Sequence, residues 1–187
     1  MVILASSSPR RRELMKRIYP DYKIITADID EESSYNLPPL KATLEIAKRK
    51  GEKVKEDHYD DLIISADTIV VIDNQIIGKP VDAEDAKRLL HLLSGRTHEV
   101  ITAYCLFYKD KFIEHYVSSF VTFYKLSDQL IEDYVKTGSP LDKAGAYGFQ
   151  DNDKYPIVKE IKGSIDNVIG FPVEEIKKDF EEIMKNA

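Results

Sequence analysis

The sequence predicts an α/β fold built on a mixed sheet. Short apolar runs of strand character alternate with segments whose apolar residues recur at helical spacing. Tight turns join some of the strand-like runs directly, as in antiparallel hairpins. Helical segments separate others, and parallel strands require such crossovers. At 187 residues, the chain suits one domain, residues 1–187, compact or drawn out into two lobes.

Residues 2–5 form the first apolar run, followed by Ser6, Ser7, Ser8 and Pro9. Pro9 suits the first helical position, where a missing N–H leaves nothing unpaired, and Ser8 suits the N-cap before it. A helix then runs to about Ile18, and residues 22–27 read as a second strand. Pro38 and Pro39 read as loop. Residues 40–53 are helical, with Leu40, Leu44 and Ala47 along one side. Residues 62–72 are β-rich with Asp67 interrupting them; Asp73 and Asn74 then read as a hairpin turn into residues 75–77. Asp82 suits an N-cap, with Asp85 three residues later in a spacing like a capping box. Ala83, Ala86, Leu89, Leu90 and Leu93 give the helical stripe, which Ser94 and Gly95 end. Residues 97–108 and 111–125 are long β runs around a turn at Lys109 and Asp110. Residues 128–137 form a short helix stopped by Gly138, residues 155–161 another strand, and Pro172 opens a last helix to about Lys185.

Composition narrows the function. Hydrophobic residues make up 43% and charged residues 32% of the chain, enough for a full core and against wholesale disorder. Lys and Arg number 27 against 33 Asp and Glu, a net charge of −6 that argues against a nucleic-acid coat but permits a local basic pocket. A single cysteine makes neither an intrachain disulfide nor a thiolate cluster. Apolar runs stay far short of the ~20 residues a membrane span needs. At the N-terminus the apolar stretch precedes the basic one, the reverse of a secretory signal. The expectation is a cytoplasmic protein with no membrane and no nucleic-acid partner.

Several segments could carry chemistry. The strand–SSSP–RRR–helix junction combines small hydroxyl residues, a helix N-terminus and arginines, all suited to an anion. At ~100° per residue, Leu14, Met15 and Ile18 define a buried face. Arg11 falls near its middle and Arg10 and Arg12 flank it. An arginine there needs a carboxylate or phosphate partner; a solvated basic helix with a structural ion pair is the competing reading. Asp67, amid apolar β residues in SADTIV, could bind a hard cation or accept a proton from water, or it could be a turn or ion-pair aspartate. Asp28, Asp30, Glu31 and Glu32 offer oxygen ligands for Mg²⁺ or Mn²⁺, although alone such a run is an ordinary solvated loop. Lys79, between Gly78 and Pro80, could meet a phosphate as a point charge; alone it is a surface lysine. Residues 142–150, DKAGAYGFQ, offer Lys143, Tyr147 and Gln150 among small residues, or simply a packed glycine loop. GSIDNVIGFP feeds the last helix and reads as an ordinary cap. The four histidines lack metal-binding spacing; His98 could help shape a site, and Cys105 reads as a buried, inert thiol.

The ordered set LASSSPRR, DIDEE, the lysine after EIAKR, SADTIV, GKP, SGRTHEVITA, DKAGAYGFQ and GSIDNVIGFP resembles the Maf family of nucleoside triphosphate pyrophosphatases over nearly the whole chain. It resembles most the dTTP/UTP branch, through PRR after the serines, Asp-Thr in SADT, and AGAYGFQ. The resemblance implies an elongated α/β structure with two lobes around a central cleft, often dimeric, so a homodimer is one expectation. It implies hydrolysis of dTTP or UTP, and of modified pyrimidine nucleotides, between the α and β phosphates, with a divalent cation, Mg²⁺ or Mn²⁺. By that resemblance Asp67 is the proton acceptor, and Glu31 holds the metal with it. Arg11, Lys50, Lys79 and Lys143 are further charged site positions. Ser6 and Ser8 are phosphate-loop hydroxyls, and Arg10, Thr68 and Gln150 bear on base selectivity. The implied role is removal of excess or modified nucleotides. A nucleotide-sensing regulator of cell division without turnover is the alternative. The chain departs from the family pattern at Asp151, where glycine is usual, in residues 159–162, and at Phe171, where leucine is common.

Overall fold

A computed structural model describes residues 1–185. Among these, the strands form one seven-stranded mixed sheet in the order Lys23–Ile24 (β2), Val2–Leu4 (β1), Leu62–Ile72 (β3), Thr97–Tyr108 (β5), Lys111–Phe123 (β6) and Val158–Lys162 (β7), with Gln75–Ile77 (β4) paired to β3. The chain divides into two compact units. One comprises Met1–Thr68, Thr102–Val117 and the chain from Gly170 onward; the other comprises Ile69–Ile101 and Ser118–Ile169.

In the first unit, β1 (Val2–Leu4) lies parallel to β2 (Lys23–Ile24) and to β3 (Leu62–Ile72), with Ile3 opposite Lys23 and Ile63. Parallel neighbours need crossovers, supplied by α1 (Pro9–Met15) and α2 (Pro39–Lys55). As the sequence predicts, Ser8 caps α1 and Pro9 opens it. Pro39 is the first residue of α2, not loop, because proline suits a first turn as well as a coil. The second strand shrinks from the expected residues 22–27 to Lys23–Ile24, consistent with its place at the sheet edge with one neighbour. Ile3, Ala5, Ala47, Val54, Ile63, Ala103, Cys105 and Phe107 pack into a core. Gly51 lets α2 lie close: a Cβ there would sit 2.1 Å from Phe107 Cε2 and 2.6 Å from Ser65 Oγ. Ser65 donates its hydroxyl to the Ala47 carbonyl of α2 at 2.7 Å. The last helix, α6 (Val173–Lys185), belongs to this unit.

The second unit holds β4 (Gln75–Ile77), α3 (Ala83–Leu93), α4 (Asp128–Lys136), β7 (Val158–Lys162) and the short α5 (Ile165–Ile169). The strands β5 (Thr97–Tyr108) and β6 (Lys111–Phe123) contribute to both units. Asp73 and Asn74 turn β3 into β4 with φ of 51° and 60°, the left-handed pair of a two-residue hairpin. Asp82 caps α3, accepting the Asp85 N–H at 2.8 Å. The leucines of α3 pack with Val100, Phe123, Ile131, Tyr134 and Tyr147 in a second core. No helix among the described residues is long and apolar enough to cross a membrane.

Candidate active site

At the end of β1 the chain turns through the serines, and the Ser6 hydroxyl accepts the Ser8 N–H at 3.2 Å. From α1, Arg11 reaches back over this turn. Its Nε donates to the Gly170 carbonyl at 2.8 Å, Nη1 to the Ala66 carbonyl at 3.0 Å and Ser6 Oγ at 3.3 Å, and Nη2 to Thr68 Oγ1 at 3.0 Å. Thr68 Oγ1 also pairs with Thr102 Oγ1 at 2.8 Å. The helical wheel asks for an anionic partner for Arg11; in the folded chain these bonds go to neutral oxygens. Carbonyl dipoles suffice because a charged donor strengthens each bond. Gly170, at φ +121°, is needed for this approach: a Cβ would lie 3.4 Å from Thr68 Oγ1 in a backbone conformation L-residues rarely adopt. Burial lowers the pKa of Arg11, with nearby Asp67 opposing.

Asp67 does not interrupt β3; the strand runs straight through it. A carboxylate can sit there because Lys50, from α2, donates to Asp67 Oδ1 at 3.1 Å. The same ammonium pairs with Glu31 Oε1 at 2.7 Å, so one cation joins two acidic residues. Gly51, next to Lys50, permits the helix approach that brings this ammonium to the strand. The Asp67 side chain is only 10% exposed and that of Lys50 16%. Burial raises the Asp67 pKa; Lys50 and Arg11 pull it down, and Glu31 adds to the rise. A carboxylate so placed is a stronger base than a solvated one.

Glu31 lies in a loop, and the chain pins that loop through Arg49. Arg49 Nη1 donates to the Asp30 carbonyl at 2.9 Å and to Ser33 and Ser34 Oγ, each at 3.1 Å. Tyr35 follows, its pKa pushed up to about 12 by partial burial and then by Asp67 and Glu31, so it stays a donor. Sequence reasoning missed Arg49, Tyr35, Thr102 and the carbonyls of Ala66 and Gly170. Arg49 stands in a basic run with no mark to separate it from its neighbours, and carbonyls carry no residue identity.

Among the described residues, no group of three or more His, Cys, Asp and Glu side chains converges to hold a metal. Glu31 and Asp67 nevertheless meet at a single ammonium. Two carboxylates suit Mg²⁺, which commonly takes one or two from the protein and the remaining oxygens from substrate phosphates and water. The donor set therefore fits such an ion.

In the second unit, Lys143 and Gln150 come together over Gly148. A Cβ on Gly148 would lie 2.6 Å from Lys143 Cε and 3.0 Å from Gln150 Oε1. Lys79 is exposed after β4, and its neighbour Gly78 accepts the Gly145 N–H at 3.1 Å, tying the GKP segment to the same loop. Within the loop, Tyr147 is fixed by His98, whose Nε2 lies 2.7 Å from the Tyr147 hydroxyl. Both rings pack edge-on against Phe123. Burial lowers the His98 pKa from 6.5 to about 4. The unfolded chain then binds a proton that the native imidazole refuses, so stability is full above about pH 6.5 and declines down to about pH 4. Thermal unfolding should lose on the order of 2 kcal/mol across this window. His98→Gln should flatten that part of the profile, and parallel profiles for the two proteins would refute the assignment.

Among the predicted residues of the first unit, Ser6, Ser8, Arg11 and Thr68 thus form one hydrogen-bonded set and Glu31, Lys50 and Asp67 another, with Arg10 in the first turn of α1 beside Arg11. Together with the fold, they define an α/β protein whose cationic and acidic groups are gathered around a strand carboxylate. The fold is shared with a HAM1 protein from Coxiella burnetii (TM-score 0.56, 14% identity, 97% of this chain and 98% of that one) and with the Staphylococcus aureus Ham1 protein (TM-score 0.53, 14% identity, 97% and 98%). The chain belongs to the Maf-like protein family, which matches residues 1–183. It is similar to a dTTP/UTP pyrophosphatase of Thermococcus onnurineus, 44% identical over 95% of each chain. It is also similar to one of Bacillus cytotoxicus, 37% identical over 99% of this chain and 96% of that one.

Proposed function

We propose that this chain is a nucleoside triphosphate pyrophosphatase that hydrolyses dTTP and UTP, and modified pyrimidine nucleotides, to the monophosphate and pyrophosphate. The observation that carries the reading is the enclosed Asp67 carboxylate, joined through Lys50 to Glu31, in a chain similar over nearly its whole length to dTTP/UTP pyrophosphatases.

Asp67 orients a water molecule and takes its proton while the water oxygen attacks the α phosphorus. The bond from that phosphorus to the α–β bridging oxygen breaks, and pyrophosphate leaves with the electron pair. The raised pKa of Asp67 suits a base that must accept this proton. Arg11 and Lys50 offset charge on the triphosphate, and the hydroxyls of Ser6 and Ser8 line its path. Glu31 and Asp67 would hold Mg²⁺ or Mn²⁺, which supplies neutralisation of phosphate charge when bound. Arg10, Thr68 and Gln150 bear on the choice of base; with Lys79 and Lys143 on the substrate's charge, these roles rest on the family resemblance. The same reading places the protein in the cytoplasm as a homodimer, working as one domain over residues 1–187 without a nucleic-acid partner.

The test is a panel of ordinary and modified nucleoside triphosphates with Mg²⁺, Mn²⁺ or Co²⁺, read by malachite green with and without added inorganic pyrophosphatase. Orthophosphate should appear from dTTP and UTP only when the pyrophosphatase is present. Direct release of orthophosphate, or tight binding without turnover, would reject the reading.

A further inference from the structure

Asp151 directly follows Gln150, and one of its oxygens holds both sides of the loop before it. Asp151 Oδ2 accepts the Tyr134 hydroxyl at 2.8 Å and the Ser139 hydroxyl at 2.7 Å. Each hydroxyl has a single hydrogen, and once it points at Asp151 the lone pairs face elsewhere. Those of Tyr134 receive the Gly148 N–H at 3.0 Å. Those of Ser139 receive the Lys143 ammonium at 3.0 Å. Two hydrogen-bonded chains therefore start at one carboxylate oxygen and end on Gly148, beside which Gln150 lies, and on Lys143, whose ammonium also donates to the Ser139 carbonyl at 2.6 Å and to Asp142 at 2.9 Å. Such chains strengthen cooperatively in a poorly solvated setting, and Tyr134 is fully buried.

We propose that Asp151 is a positioning residue for nucleotide recognition, acting through Ser139 and Tyr134 on Lys143 and Gln150. The proposal rests on the reading above that this loop meets the nucleotide. An asparagine can turn its single oxygen to the position of Oδ2 and keep both hydroxyls, whereas alanine offers no acceptor at all. Without an acceptor at this point, the Tyr134 and Ser139 hydroxyls no longer hold their hydrogens away from the Gly148 N–H and the Lys143 ammonium, and both chains weaken. Burial and the Asp151 hydrogen bond both raise the Tyr134 pKa, in keeping with a phenol that keeps its proton.

The test is steady-state kinetics of the full-length chain with dTTP and UTP for wild type, Asp151→Ala, Ser139→Ala and the double variant. Asp151→Ala should raise KM about tenfold, the loss of roughly one charge-assisted hydrogen bond, with kcat changed less than about twofold. Ser139→Ala should raise KM about threefold by itself and add nothing in the Asp151→Ala background, because both act on one chain. A fall in melting temperature with KM unchanged in both single variants makes Asp151 a structural residue and overturns the proposal, as does full additivity. Lys143→Ala and Gln150→Ala separate the two ideas. If those variants raise KM and Asp151→Ala does not, only the positioning role falls. If they leave KM unchanged, the loop does not meet the nucleotide and both fall.

Discussion

Asp67→Asn is expected to lower kcat by about 10²–10⁴, the range for loss of a positioned general base, while nucleotide binding persists. The amide has the shape of the carboxylate but cannot take a proton. Lys50 keeps Glu31 as its partner at 2.7 Å, so the acidic loop stays attached. The variant also removes a carboxylate whose raised pKa reports a burdened ionised form. Stability should therefore survive while chemistry does not, which separates this outcome from general unfolding. Single-turnover rates beside equilibrium binding of a non-hydrolysable dTTP analogue make the measurement. Full activity in the variant would remove Asp67 from the mechanism.

Arg11→Met is expected to damage fold and activity together. The guanidinium makes four bonds, to Gly170, Ala66, Ser6 and Thr68. Ser6 and Thr68 keep other partners, Ser8 and Thr102. The Gly170 carbonyl keeps a long bond, 3.4 Å, from Thr68. Charge-assisted bonds of this kind suggest a loss of about 2–5 kcal/mol in chemical unfolding. On the proposed reading, in which Arg11 offsets charge on the triphosphate in both ground and transition states, substrate should bind more weakly and turn over more slowly. Arg11→Lys should not restore stability, because one ammonium cannot span acceptors that a planar fork reaches from three nitrogens. A Lys variant matching wild type in both measurements would show that charge alone matters.

Much of this architecture is legible in the amino-acid order. Local chemistry marks the Ser8–Pro9 helix start, the Asp73–Asn74 turn and the Asp82 cap, since each depends on a few adjacent residues. Asp67 stands out because a carboxylate amid apolar strand residues needs compensation. Its partner is less visible. Lys48, Arg49, Lys50 and Lys53 all crowd α2, and only packing against β3 selects Lys50, so residue physics alone does not single it out. Arg11 shows the opposite limit: its position on the buried face is readable, but two of its four partners are backbone carbonyls distant in sequence, which any residue supplies. Element ends shift for similar reasons, as at Pro39, where proline serves a loop and a helix start equally well.

The glycine beside Lys50 has a consequence for how the enzyme tolerates its surroundings. Dissolved ions weaken attraction between charges but do nothing to the volume atoms exclude. The distance from α2 to its strand is fixed by contact around Gly51, where no side chain fits. The separation between ammonium and carboxylate is thus inherited from steric closeness, and the spacing should hold in brine as it does in dilute buffer.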